Sequence, residues 1–212
     1  MSIVLAGMAE EIVTPPVGVK MAGFAARSEG AQGVHDPLKA VAAVFDDLSG
    51  NKSILCSADV VGLPAGLVES VRWRVAARIE QMKVSQPDRI LIAATHTHSG
   101  PAVGGDALLN QQWMRRLEDQ LVRVILRANA AQRSAHIGTA VGRAPGIGGN
   151  RRNPEHGPVD DSVAVMRIDD AATGEMMGLI VNFACHATTL GSDNLLISAD
   201  YPGAMRDCVQ AE

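Results

Sequence analysis

The sequence predicts an α/β fold: a mixed β-sheet core flanked by helices. Three observations carry that expectation. Short apolar runs alternate with two long stretches whose apolar residues recur at helical spacing. Further apolar runs follow the second stretch, which gives the order strand, helix, strand, helix, then strands. Hydrophobic residues make up 47% and charged residues 20% of 212 positions, a globular balance, while 3% aromatics leave the core to Ala, Val, Leu, Ile and Met.

Taken in order, residues 3–7, 39–46 and 53–60 read as strands. Leu67, Val71, Val75 and Ile79 recur every four residues, which predicts an amphipathic helix over 63–82. Residues 89–94 are continuously apolar after Arg89 and predict a buried strand. Trp113, Leu117, Leu121, Val124 and Ile125 mark a second helix, and 135–141 a further strand. Residues 163–169 and 176–184 read as a hairpin turning at 171–174. From Asp200, with Pro202 near its start, the chain reads as the first turns of a helix, and the domain reads as incomplete at its C-terminus.

The net charge of −4 argues against a general nucleic-acid binder, which needs a basic face for phosphates. No apolar run approaches the ~20 residues of a membrane-spanning helix. Cys56, Cys185 and Cys208 are odd in number, widely spaced and without a CxxC pair, so they form neither a disulfide framework nor a zinc ribbon. With an N-terminus that lacks a basic leader, they point to a cytoplasmic address.

The chemistry-bearing residues lie where apolar runs end. Thr95-His96-Thr97-His98-Ser99-Gly100-Pro101 follows the 89–94 run. In extended backbone, residues two apart share a face, so His96 and His98 project together. Two such imidazoles suit a zinc-type ion, or one binds metal while the other moves a proton, or both simply hydrogen-bond loop carbonyls. His186 ends a second apolar run, and neighbouring strands would bring the three imidazoles together. Cys185 would face away from His186 as a buried free thiol. Arg151, on the glycine-rich loop 143–157, suits a bidentate clamp on a carboxylate or phosphate, or a solvated turn. His35-Asp36 reads as a site pair or, with Pro37, a helix-start turn. Gly23 marks a close backbone approach. Gly146-Ile147-Gly148-Gly149 lacks the context of a dinucleotide loop, and Ser99 lacks that of a nucleophile elbow. His136 and His156 lie in ordinary surface sequence.

Several pieces occur in one order: Ile12-Val13-Thr14-Pro15-Pro16, Met21-Ala22-Gly23-Phe24, Gly33-Val34-His35-Asp36-Pro37-Leu38, the histidine element at 94–101, Asn150-Arg151, and Asn182-Phe183-Ala184-Cys185-His186. Together they resemble the N-terminal catalytic domain of the neutral/alkaline non-lysosomal ceramidase family, over nearly the whole of residues 1–212. The resemblance implies a zinc-dependent amide hydrolase that splits the N-acyl bond of ceramide, or of a related N-acyl compound, into an amine and a fatty acid. It implies His96 and His186 as Zn2+ ligands, His98 and Arg151 as catalytic residues, and Gly23 as a substrate-binding position. It also implies a glutamate and a tyrosine further along than this sequence reaches to complete the metal shell; Tyr201 does not match that tyrosine motif. The other function weighed is a non-catalytic domain that binds a lipid or anionic small molecule through Arg151 and the glycine loops.

Overall fold

The computed structural model describes residues 4–79 and 87–211. Its centre is a seven-stranded mixed sheet of order β5-β4-β3-β1-β6-β7-β8. The strands are β1 (Val4–Ile12), β3 (Lys39–Asp46), β4 (Lys52–Ala58), β5 (Ile90–Ala94), β6 (Arg133–Arg143), β7 (Ser162–Asp170) and β8 (Met176–Phe183). Every pairing is antiparallel except β4 with β5, which helix α1 (Ala65–Ala76) connects as a crossover. A two-stranded parallel ladder joins β2 (Gly33–Val34) to β9 (Leu196–Ile197). Helices α2 (Leu108–Ala130) and α3 (Asp200–Ala211) complete the α/β architecture.

The main core lies between α1, α2 and the β1-β3-β4-β5 part of the sheet. Trp113, Leu117, Leu121, Ile125 and Ala128 form one buried stripe along α2, as the helical period requires. Trp113 donates its indole N–H to the Val13 carbonyl at 2.8 Å, so its one polar atom is satisfied in the core. A second, smaller cluster of Ala6, Ala135 and Ile168, with Met8, Phe45, Met177 and Ile180 around it, lies under β6–β8.

The expected strand over 39–46 is found residue for residue, and the hairpin turns where expected, with Gly174 at φ 73°. Other expectations change. Ile3 lies outside the described residues, and β1 runs on to Ile12. Helix α1 ends at Ala76, where the Arg78 N–H reaches back to the Val75 carbonyl and tightens the last turn; residues 80–82 lie outside the described residues. The apolar run of β5 is not buried on both faces: it is an edge strand with Leu91 58% exposed. Asp36 starts no helix; its residues lead directly into β3.

Strands β5 and β8 are the two edges of the sheet, with five strands between them. The histidines at their ends therefore cannot meet as strand neighbours. Two features bring them together. β1 pairs with β6 through only three residue pairs, so β6–β8 form a wing, and that wing lies back over β1 with Met8 against Gly178. Beyond Phe183 the chain then leaves the sheet and crosses to the 95–101 segment.

Candidate metal centre

Past Ala94 the backbone is not extended. His96 has φ 66°, a left-handed conformation rare for a non-glycine residue, and here the turn rather than strand alternation aims the rings. The His96 N–H donates to the Val60 carbonyl at 3.0 Å, and its Nδ1 lies 2.5 Å from the Val61 carbonyl. A carbonyl accepts only, so Nδ1 carries the proton and Nε2 keeps its lone pair. That is how a metal-binding histidine is commonly oriented.

Thr97 and Ser99, between and beyond the histidines, are fully buried and serve as anchors. Thr97 Oγ1 donates to the Ser198 carbonyl at 2.7 Å, the Ser198 N–H to the Ser99 carbonyl at 2.9 Å, and Asn194 Nδ2 to Ser99 Oγ at 3.0 Å. Ser99 is thus a packed hydrogen-bonding group and no exposed nucleophile. The His98 N–H donates to the Ala187 carbonyl at 3.1 Å, which ties the two histidine segments directly.

The three imidazoles converge. His98 Nε2 lies 3.4 Å from His96 Nε2 and 2.8 Å from His186 Nε2. The His96 and His186 rings stack with centroids 5.0 Å apart. Two nitrogens bound to one tetrahedral zinc stand ~3.3 Å apart. The first separation matches that figure. At the second, either one nitrogen donates its proton to the other or both face a shared cation. Three convergent nitrogens fit a zinc-type ion: among the described residues this is the cluster whose donor atoms all lie within 4.8 Å of one another.

His98 and His186 both have pKa values below the ordinary histidine value. For His98 the first cause is burial, reinforced by repulsion from His186 and His96; the Gly23 backbone opposes the shift without reaching good hydrogen-bond geometry. For His186 burial again leads, followed by His96 and Arg151. Neutral imidazoles are the form a metal requires.

Gly23 packs on this centre. It has φ 100°, and a Cβ there would fall 2.5 Å from His98 Cβ, so a side chain is excluded on both counts. Phe24 stands edge-on to the His98 ring at 5.2 Å. Arg27 donates to the Ala22 and His98 carbonyls at 2.7 and 2.9 Å and lies over Phe24. Arg151 reaches the electrostatic neighbourhood of His186. It lines a cavity of about 240 Å³ with Gly149, Asn150 and Pro154. Asn150 shapes that loop by accepting the Arg152 and Asn153 N–H groups and donating to the Pro158 carbonyl.

The structure thus gathers His96, His98, His186 and Gly23 about one place, while Arg151 stands on the 143–157 loop and is linked to them only by the repulsion its charge exerts on His186. Cys185 is half-buried rather than buried, because β8 has ended before it; Cys56 is the buried thiol, its pKa pushed up to about 12 by burial. His35-Asp36 stands apart as an anchor: Asp36 accepts the Ala199 N–H at 2.7 Å and the Ser198 hydroxyl at 2.5 Å. Sequence reasoning missed Arg27, Asn194, Ser198 and Asp200. Of these only Ser198 and Asp200, just before Pro202, carried a signal, that of a helix start.

Comparison with known proteins bears on the chain and its fold as a whole. The family model described as neutral/alkaline non-lysosomal ceramidase, N-terminal, matches residues 5–210. Neutral ceramidase A of Dictyostelium discoideum is 27% identical over 216 residues, covering 91% of this chain and 30% of that protein. The neutral ceramidase of Pseudomonas aeruginosa is 27% identical, covering 87% of this chain and 30% of that protein. The crystal structure of a Pseudomonas aeruginosa neutral ceramidase superposes with a TM-score of 0.76 at 26% identity, over 96% of this chain and 35% of that one. A ceramidase complexed with C2 superposes at 0.73 and 27% identity. The chain therefore spans about 30% of the length of the curated relatives it matches. With residues 5–210 matched, it belongs to the neutral/alkaline non-lysosomal ceramidase family, to whose N-terminal part it corresponds.

Proposed function

We propose that residues 1–212 are part of the catalytic domain of a zinc-dependent amide hydrolase, which cleaves the N-acyl bond of ceramide or a related N-acyl compound. The observation that carries this reading is the meeting of three imidazole Nε2 atoms from two remote segments. His96 and His186 hold the ion, His96 with its Nε2 freed by the bond to the Val61 carbonyl. Zinc held there supplies an acidified water, with pKa near ~7, and a polarised amide carbonyl. An amide needs both, being a poor electrophile with a poor leaving group.

His98 handles the proton. Its lowered pKa keeps it neutral at neutral pH, ready to take a proton from the attacking water and pass it to the departing amine. Arg151, without a carboxylate or carbonyl partner among the described residues, offers its guanidinium to the developing oxyanion or to the fatty-acid product. Gly23, the expected substrate-binding position, packs its backbone directly on His98 and would meet a substrate with main chain alone. Two imidazoles leave two positions of a tetrahedral shell, for water and substrate or for further protein ligands.

A second reading of His98 has its own support: its Nε2 is the atom nearest both others, which suits a third ligand. Equilibrium dialysis against zinc separates the two. His96→Ala and His186→Ala should each abolish tight binding, and His98→Ala should leave affinity within a few-fold if His98 serves protons. A large loss in His98→Ala makes it a ligand. Unchanged binding in all three variants removes the metal and the hydrolase with it.

A further inference from the structure

We infer that Asp200 and Tyr201, the first residues of α3, are positioning residues for His186, gripping the chain on both sides of it so that its imidazole meets His96 and His98. The inference rests on the metal reading above. His186 lies beyond the end of β8, on a segment with no helix or strand of its own. Upstream of it, the Tyr201 hydroxyl donates to the Cys185 carbonyl at 2.8 Å. Downstream, the Asp200 carboxylate accepts the Thr189 hydroxyl at 2.9 Å and the N–H groups of Thr189 and Leu190 at 3.1 and 3.3 Å.

Asp200 is no ordinary helix cap. Of the four donors on its carboxylate, only the Tyr201 N–H, at 2.7 Å, belongs to α3; the other three belong to the His186 segment. The residue is 6% exposed and has φ 58°, a backbone state that a non-glycine side chain keeps only where its surroundings hold it. Those surroundings are built: the Asp200 N–H donates to Ser198 Oγ at 3.0 Å, and Asp36 accepts the Ser198 hydroxyl in turn. Burial also raises the pKa of the Tyr201 phenol, which keeps it a donor.

Among the described residues, the hydrogen-bond and ring contacts of the His186 imidazole are with His98 and the stacked His96, both themselves members of the centre. Its direction therefore follows from its backbone, and its backbone from this pair. Outer-shell partners of this kind typically account for 10–100-fold in metal affinity.

The test is a cobalt(II) titration of the full 212-residue chain, read by visible absorption, beside a thermal melt of each metal-free variant. Tyr201→Phe deletes one hydroxyl. Asp200→Asn keeps the size and suits a left-handed backbone, but puts an amide donor against N–H donors. Both should weaken cobalt binding about tenfold or more at temperatures where the melt shows them folded. His186→Ala is the reference for loss of the site. A purely structural role predicts a lower melting temperature with unchanged affinity in the folded chain, and that result overturns the inference while leaving the metal reading intact. Wild-type chain that binds no better than His186→Ala overturns the metal reading, and this inference falls with it. Should Asp200→Asn fail to fold, Tyr201→Phe alone decides.

Discussion

Each imidazole of the centre is held by a different kind of contact. His96 is fixed through Nδ1 on the Val61 carbonyl, His98 by packing between Gly23 and Phe24, and His186 through the backbone on either side of it. His98 and His186 both have pKa values lowered in the folded chain, burial being the first cause for each. In the unfolded chain both return to about 6.5. Between the lowered folded values and about 6.5 the unfolded state therefore binds more protons. The sign follows: this contribution to stability is complete above about pH 6.5 and is lost as pH falls through the folded pKa values. The melting temperature of the metal-free chain should fall between pH 7 and 5, and His98→Gln, which cannot titrate, should fall less. Equal slopes for the two proteins would show that the His98 proton contributes nothing.

Helix α3 brings Asp200 and Tyr201 to the centre, and one ion pair pins the helix down. Arg206 places both terminal nitrogens on the fully buried Asp59, the closer contact at 2.7 Å, while Asp59 also accepts the Lys39 N–H. Removing one partner of a buried pair leaves an uncompensated charge, which typically costs ~3–5 kcal/mol. Arg206→Ala should lose about that much in urea denaturation; a change under ~1 kcal/mol, the range of an exposed pair, would mean that water already relieves Asp59. The elements legible in the sequence had strong local signals: β3 is a continuous apolar run over 40–45 closed by Asp46, and α2 carries a full buried stripe. β2 and β9, two residues each, have no periodicity to read. The histidines were legible because each follows an apolar run. Their anchoring contacts were not, because Asn194 and Ser198 meet Ser99 and Thr97 across separations of 95 and 101 residues, and even the helix-start signal at Ser198 does not say which distant residue it holds.

The whole molecule solves a topological problem that the sequence does not pose. Histidines belonging to opposite edges of one sheet must share a single point, and the wing of β6–β8 does this by lying back over β1. The join is slight: three residue pairs of ladder and a small apolar cluster in which Met8 fills the space left by Gly178. The main core under α2 is separate from that cluster. The two cores should therefore respond differently to truncation. Met8→Ala opens space beneath the wing and should cost ~1–3 kcal/mol, below the range for fully buried sites because Met8 is only half-buried. Leu121→Ala, in the main core, should cost at least as much. In the folded state, however, only Met8→Ala loosens the platform that carries His186. Metal affinity at a temperature well below both melts should fall in Met8→Ala and hold in Leu121→Ala. If both variants bind as tightly as the parent chain, the loop clamps alone fix the centre and the wing's packing against β1 has no part in it; if both weaken alike, the centre senses general stability rather than the position of β8.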